Sequence, residues 1–128
     1  MPSRSKSDLN PILVDVYERA CKAYAEQFPL LPQPFLTCTY RSNEEQAELY
    51  AQGRTKKGAI VTWAKPGQSK HNVLPSDAFD IAFIGLNKKL DWSSKHFGLF
   101  AGIVKQINPD VVWGGDWKTK PDAPHFEI

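Results

Sequence analysis

The order of hydrophobic patterns in this 128-residue chain predicts an α+β fold: a small single domain, residues 1–128, whose central antiparallel sheet is packed against helices. Three observations carry that prediction. Apolar residues recur at three- and four-residue steps over 13–28 and again over 97–107, which is the stripe of a core-facing helix. Residues 78–84 alternate with period two, as a strand does. Short strand-like segments fall between and after the helices, an order that suits helices lying against a mostly antiparallel sheet.

Asn10 followed by Pro11 opens the first helix, with a side-chain acceptor at the N-cap and a residue at N1 whose missing N–H removes nothing. Leu13, Val16, Tyr17, Ala20, Tyr24 and Phe28 form its apolar stripe, and the proline-rich "FPLLPQP" ends it. "FLTCTYR" then reads as a strand that finishes at Arg41. Ser42 and Glu45 make a capping-box pattern for a short helix through Tyr50, and Gly53 is placed to stop it. "GRTKKGAIVTWAKPGQ" reads as loop, short strand, loop. In "AFDIAFI" the bulky Phe79, Ile81 and Phe83 point to one side, while Ala78, Asp80 and Ala82 point to the other. Phe97, Phe100, Ile103, Val104 and Ile107 mark the last helix, with "DVVWGGDW" and "HFEI" as closing strands. There is no internal repeat and no low-complexity tract.

Hydrophobic residues make up 41% of the chain and charged residues 23%, the composition of a globular protein with a core of its own. The formal charge of +2 is spread along the chain between residues 4 and 120, so no face or helix carries the concentrated basic patch of a nucleic-acid binder. "MPSRSKSD" lacks the apolar stretch of a secretory signal, and no segment is long enough to span a membrane. A monomer made in the cytoplasm is the expectation. Cys21 and Cys38 fall in a helical and a strand pattern, which predicts free buried thiols outside the chemistry.

The candidate chemistry lies in the acids and histidines. Asp80 projects from a strand face otherwise lined by methyl groups, which fits either a solvated charge or half of a metal site. His71 stands nine positions earlier in the polar loop after "GQSK", and His125 follows "PDAP" just before the final "FEI". His96 reads as a partly exposed helix residue. Two imidazoles and one carboxylate make up a known catalytic zinc shell with an open fourth position, where the pKa of water falls from about 15.7 to about 7. Asp122, three residues before His125 with the φ-fixing Pro124 between them, is either a turn-forming acid or a base aimed into the same cavity. In "WGGDW" the paired Gly114 and Gly115 permit close backbone approach. Trp113 and Trp117 either wall a groove or close a core, and Asp116 braces the turn. Arg41 at a strand end is suited to a substrate carboxylate or to charge growing on a carbonyl oxygen, and Ser69 to a hydrogen bond in the His71 loop.

"SKHNVLPSDAFD" followed by "WGGDWKTKPDAPHFE" resembles the L-alanyl-D-glutamate peptidase and D-alanyl-D-alanine carboxypeptidase family, zinc enzymes that cut peptidoglycan peptides; phage endolysin-like members are the most similar. The resemblance runs from "TYRSNEEQAELYAQGRT" to the C-terminus. It implies a hedgehog/DD-peptidase-like α+β fold and a Zn2+ ion held by His71, Asp80 and His125. It further implies Asp122 as catalytic base, Arg41 as a residue that binds substrate or stabilises the transition state, and Ser69 as the motif serine. Trp113, Asp116 and Trp117 complete the expected substrate-binding set. The implied substrate is the peptidoglycan stem peptide, cut between L-Ala and D-Glu. The alternatives are a D-Ala-D-Ala carboxypeptidase or a noncatalytic zinc-containing domain that binds wall peptides. Such an endolysin acts on the wall, in the periplasm, after holin-dependent release, without membrane insertion and without nucleic acid. One departure stands out: "HNVLPSDAFD" sets His71 and Asp80 further apart than in many relatives, and it lacks their intervening glycine. An Asp at the base position, where relatives often have Glu, points to the endopeptidase branch.

Overall fold

The computed structural model describes residues 2–128. Helix α1 spans Pro11–Gln27, and Asn10 caps it by accepting from the Ile12 N–H. Strand β1 is Gln33–Cys38, helix α2 Asn43–Ala51 and strand β2 Ala78–Ile84, followed by the two-residue β3, Leu90–Asp91. Helix α3 covers Ser94–Ile107, and the chain closes with β4, Val112–Trp113, and β5, His125–Glu127. Short 3-10 turns lie at Lys6–Asp8, Lys70–Asn72 and Gly114–Asp116.

All strand pairs are antiparallel, in the order β1-β2-β5-β4, with β3 pairing to β2. One face of this sheet is covered by the two long helices. Phe79, Ile81 and Phe83 of β2 and Phe126 of β5 are fully buried against Leu13, Val16, Ala20 and Tyr24 of α1 and Phe97, Phe100 and Val104 of α3. Phe79 stacks on Phe126 with ring centroids 5.2 Å apart, and Phe83 meets Phe97 edge to face at 4.9 Å. Burial of each such ring contributes about 1.5–3 kcal/mol, so β2 and β5 are held by their bulky faces. Their opposite faces are thereby fixed in register, with Asp80 directly across from His125.

The capping box at Ser42 is present, with reciprocal bonds between Ser42 and Glu45, and Gly53 lies at φ 80° after α2. Other expectations need correcting. Strand β1 ends at Cys38 and not at Arg41, because the ladder bulges between Leu36 and Cys38 and Thr39 instead bonds to Ser3 near the N-terminus. Residues 59–65 form no strand; they are tied to α2 by Gln46, which donates to the Thr62 hydroxyl and the Ala64 carbonyl. Only Val112 and Trp113 of "DVVWGGDW" are in the sheet, since the two glycines turn the chain into a 3-10 turn. His96 is 2% exposed and lies 3.2 Å from Asp91, so it is a buried residue that ties α3 to β3 and not a partly exposed one. The long segment between His71 and Asp80 is tethered to the N-terminus. The Ser76 N–H donates to the Asp8 carbonyl, the Asn10 N–H to the Ser76 carbonyl, and the Asn10 side chain to Asp77. Among the described residues no helix is long and apolar enough to cross a membrane.

Candidate active site

His71 reaches the sheet from the Lys70–Asn72 turn, whose entry is capped by the Ser69 hydroxyl accepting from the His71 N–H. Arg41 and His71 are joined through their backbones, Arg41 N–H to His71 carbonyl at 2.9 Å, and Asn72 donates to the Arg41 carbonyl. The loop carrying His71 is thus pinned to the end of β1. His125 arrives on β5 beside Asp80 of β2, and their side chains share the face opposite the aromatic core.

Three atoms converge there. His71 Nε2 lies 3.2 Å from Asp80 Oδ1, His125 Nδ1 lies 3.1 Å from the same oxygen, and the two imidazole nitrogens are 3.3 Å apart. The remaining ring nitrogens are committed elsewhere. His71 Nδ1 is 2.7 Å from the Thr39 carbonyl and His125 Nε2 is 2.7 Å from Glu127 Oε1, so each must donate its hydrogen outward. In the neutral tautomers two nitrogen lone pairs and one carboxylate oxygen then face each other with no hydrogen between them. Three acceptors crowded in this way need a cation. Tetrahedral zinc bonds of about 2.0–2.2 Å set neighbouring donors roughly 3.3–3.6 Å apart, close to the spacings found here, so the set fits such an ion.

The electrostatics of the site follow from the same crowding. Burial opposes charge on His71, but the Asp80 carboxylate and its hydrogen bond, aided by Cys38, outweigh this and raise the imidazole to about 10. Burial likewise opposes charge on Asp80, yet the two histidines hold its carboxyl well below the usual range. His125 is raised by its bonds to Asp80 and Glu127 in spite of burial, and Glu127 is lowered by its bond from His125.

Asp122 comes close to Asp80 and His125, with donor atoms of the three within 4.8 Å of one another. Crowding by protein and then the Asp80 charge push its carboxyl above the ordinary value, while exposure of the residue to solvent moderates the first of these causes. Its backbone is fixed by the Gly114 carbonyl, which accepts from the Asp122 N–H at 2.9 Å, and the Asp122 carbonyl accepts from the His125 N–H. A Cβ on Gly114 would stand 2.3 Å from that Asp122 carbonyl oxygen, so the close approach anticipated from "GG" is made here. Arg41 lies 3.7 Å from Asp80 Oδ2 and is oriented by Gln46, which accepts from its NH1 at 2.9 Å.

These residues line a cleft of about 820 Å³ whose walls include Trp63, Trp92, Trp117, Ser69, Lys70 and Lys120. Trp117 stands over His125 with ring centroids 5.2 Å apart. The structure brings His71, Asp80, His125, Asp122, Arg41, Ser69 and Trp117 together. Trp113 and Asp116 are placed elsewhere. The Trp113 indole donates to the Ala123 carbonyl and packs on the core, and the exposed Asp116 is paired with Lys105, so neither lines the cleft. The two roles left open for the tryptophans are divided between them, Trp113 closing the core and Trp117 walling the cleft, and the expected substrate-binding set loses Trp113 and Asp116 because the intervening 3-10 turn separates them from the cleft.

Four participants went unanticipated. Glu127 had a usable signal, since i and i+2 on a strand share a face. The Thr39 carbonyl and Gln46 had none, because their contacts cross 32 and 5 residues through folded geometry. Cys38 is a free buried thiol as expected, but it does not stand apart from the site: its sulfur lies 3.7 Å from His71 Nδ1 and 3.6 Å from Arg41 NH2. Cys38, His71 and Asp80 also offer ligand atoms within 4.8 Å of one another, so the thiol borders the site, outside the tighter set of three donors that converge at 3.1–3.3 Å.

A sheet face that gathers two imidazoles and a carboxylate at the floor of a cleft, with a second acid beside them, defines a metal-dependent peptidase type of site. The comparisons with known proteins agree with that class. The D-alanyl-D-alanine carboxypeptidase family profile matches residues 62–128, just over half of the chain. The chain is 38% identical, over 131 aligned positions, to the peptidoglycan L-alanyl-D-glutamate endopeptidase CwlK of Bacillus subtilis (strain 168), an alignment covering 95% of this chain and 74% of that protein. The crystal structure of the Serratia marcescens L-Ala D-Glu endopeptidase ChiX shares the fold, with a TM-score of 0.68 at 22% identity over 100% of this chain and 90% of that one. The chain belongs to this family of metal-dependent peptidases.

Proposed function

We propose that this protein is a zinc-dependent peptidoglycan endopeptidase that hydrolyses the L-Ala–D-Glu bond of the stem peptide. The observation that carries the reading is the convergence of His71 Nε2, Asp80 Oδ1 and His125 Nδ1 at 3.1–3.3 Å with Asp122 beside them. The identity to CwlK, whose name states this specificity, supports the choice of bond. His71, Asp80 and His125 are the residues that would hold the ion, and Cys38 is not one of them. When bound, the ion supplies positive charge beside the scissile carbonyl and makes nearby water more acidic.

The protein's own groups then divide the work. Asp122 accepts a proton from the water that attacks the carbonyl carbon and delivers it to the departing nitrogen as the C–N bond breaks, leaving a free amine on D-Glu and a carboxyl group on L-Ala, whose remaining proton passes to solvent. A carboxyl already pushed above its ordinary range suits both halves of that cycle. Arg41, held by Gln46 and Asp80, presents fixed positive charge to the oxygen on which negative charge develops. Ser69 holds the His71 turn, and Trp117 forms the wall over His125 along which the peptide lies.

A second reading, removal of a terminal D-Ala, is favoured by the description of the family whose profile matches residues 62–128. Mass spectrometry of digested muropeptides separates the two. New N-terminal D-Glu is the expected product, and released D-Ala with no such terminus would overturn the endopeptidase assignment. A domain that only binds wall peptides would give no chelator-sensitive clearing of outer-membrane-stripped cells.

A further inference from the structure

We infer that Glu127 is a positioning residue for the metal centre: it fixes His125 in the tautomer whose Nδ1 lone pair faces Asp80 and His71. The inference rests on the zinc reading above and extends it to a residue outside the expected ligand set. Glu127 lies two positions after His125 on β5, so both side chains leave the same face of the strand while Phe126 between them is fully buried in the aromatic core. Both sides of β5 are paired at this point, Glu127 across from Ala78 of β2 and from Val112 of β4, so its backbone has no freedom to drift. Its Oε1 lies 2.7 Å from His125 Nε2. An ionised carboxylate only accepts, so the hydrogen must reside on Nε2 and the lone pair on Nδ1.

His71 receives the same service from a different source. Its Nδ1–H donates to the Thr39 backbone carbonyl at 2.7 Å, which no side-chain substitution removes. The two histidines therefore use opposite ring nitrogens toward the ion; His125 is held from behind by a charged side chain, His71 by a backbone carbonyl with the Cys38 thiol sulfur 3.7 Å away. A charged acceptor behind an imidazole also makes it a better donor to a cation than a neutral carbonyl does. Glu127 borders the cleft as well, which leaves direct contact with substrate as the competing role.

Zinc affinity of purified full-length protein, measured by competition with a chromophoric chelator, tests this without reference to turnover. E127A should weaken binding about 10- to 100-fold. E127Q, which keeps an oxygen acceptor but loses the charge, should recover part of that loss. Long-range nitrogen–proton NMR of the zinc-loaded parent and of E127Q should show His125 protonated on Nε2. Circular dichroism of the metal-free variants checks that they are folded. E127A binding zinc as tightly as the parent, or His125 protonated on Nδ1 in the parent, would overturn the inference. A raised KM with unchanged zinc affinity would assign Glu127 to the substrate instead. A parent that binds no zinc would sink the zinc reading itself, a result distinct from either.

Discussion

Asp80 uses its two oxygens differently, and that division explains why a charge sits in the middle of an otherwise apolar strand. Oδ1 meets both imidazoles while Oδ2 faces the Arg41 guanidinium at 3.7 Å, so the carboxylate links the metal-holding side of the site to its fixed cation. Asp122 has no such structural duty, which makes it the residue where chemistry separates from architecture. Asp122→Ala should retain zinc, measured by metal analysis, and lose about 100- to 10,000-fold in muropeptide turnover. Turnover equal to the parent's would remove Asp122 from the role of base. His71→Ala should behave oppositely. It deletes one of three donors and leaves Asp80 short of a partner, so metal content itself should fall. These two variants discriminate because the lost quantity differs.

At the level of elements, the site depends on what lies behind it. Gln46, fully buried on α2, accepts from Arg41 NH1 and donates to the Ala64 carbonyl at 2.7 Å, joining the helix, the guanidinium and the cleft wall. The 3-10 turn after β4 does the same for Asp122. Gly114→Ala would drive a Cβ into the Asp122 carbonyl, and moving that turn shifts both Asp122 and His125. Overpacking of this kind typically costs about 1–3 kcal/mol, so thermal melts should fall and activity with them. The contrast is Gly98 on α3, exposed, with open space where its Cβ would be. Gly98→Ala should stabilise by about 0.4–1 kcal/mol and leave turnover unchanged, because it restricts the unfolded chain without touching the cleft. A melting temperature that rises for Gly114→Ala would show that the turn accommodates a methyl group.

Across the whole molecule, what could be read in the sequence was whatever a single element encodes by itself. The stripe from Leu13 to Tyr24, the cap at Asn10, the box at Ser42 and Glu45, and the alternation that buries Phe79, Ile81 and Phe83 are local and were legible. His71, Asp80 and His125 were nameable through their motif order, and the fold places them together. Contacts made only by tertiary packing were not legible: Thr39 to His71, Gln46 to Arg41, His96 to Asp91, and the turn that carries Trp113 and Asp116 off the cleft. The coupling of metal, protons and stability is likewise a property of the assembled site. In the metal-free protein the His71 imidazole is raised from about 6.5 to about 10. Its stabilising contribution is therefore complete below the unfolded value and is lost as pH rises through the folded one. A metal ion requires the same nitrogen unprotonated, so loading at neutral pH must expel a proton. The two stability curves should then diverge. The metal-free melting temperature loses the His71 contribution toward alkaline pH, whereas the increment conferred by zinc grows, because apparent affinity rises about tenfold per pH unit for each proton displaced. Thermal melts with zinc and with chelator across neutral to alkaline pH measure the increment. Calorimetric titrations in buffers of different ionisation enthalpy count the protons released. An increment that does not change with pH, together with no proton release, would mean that His71 is already neutral before the ion arrives and that the charge balance assigned to these side chains is wrong.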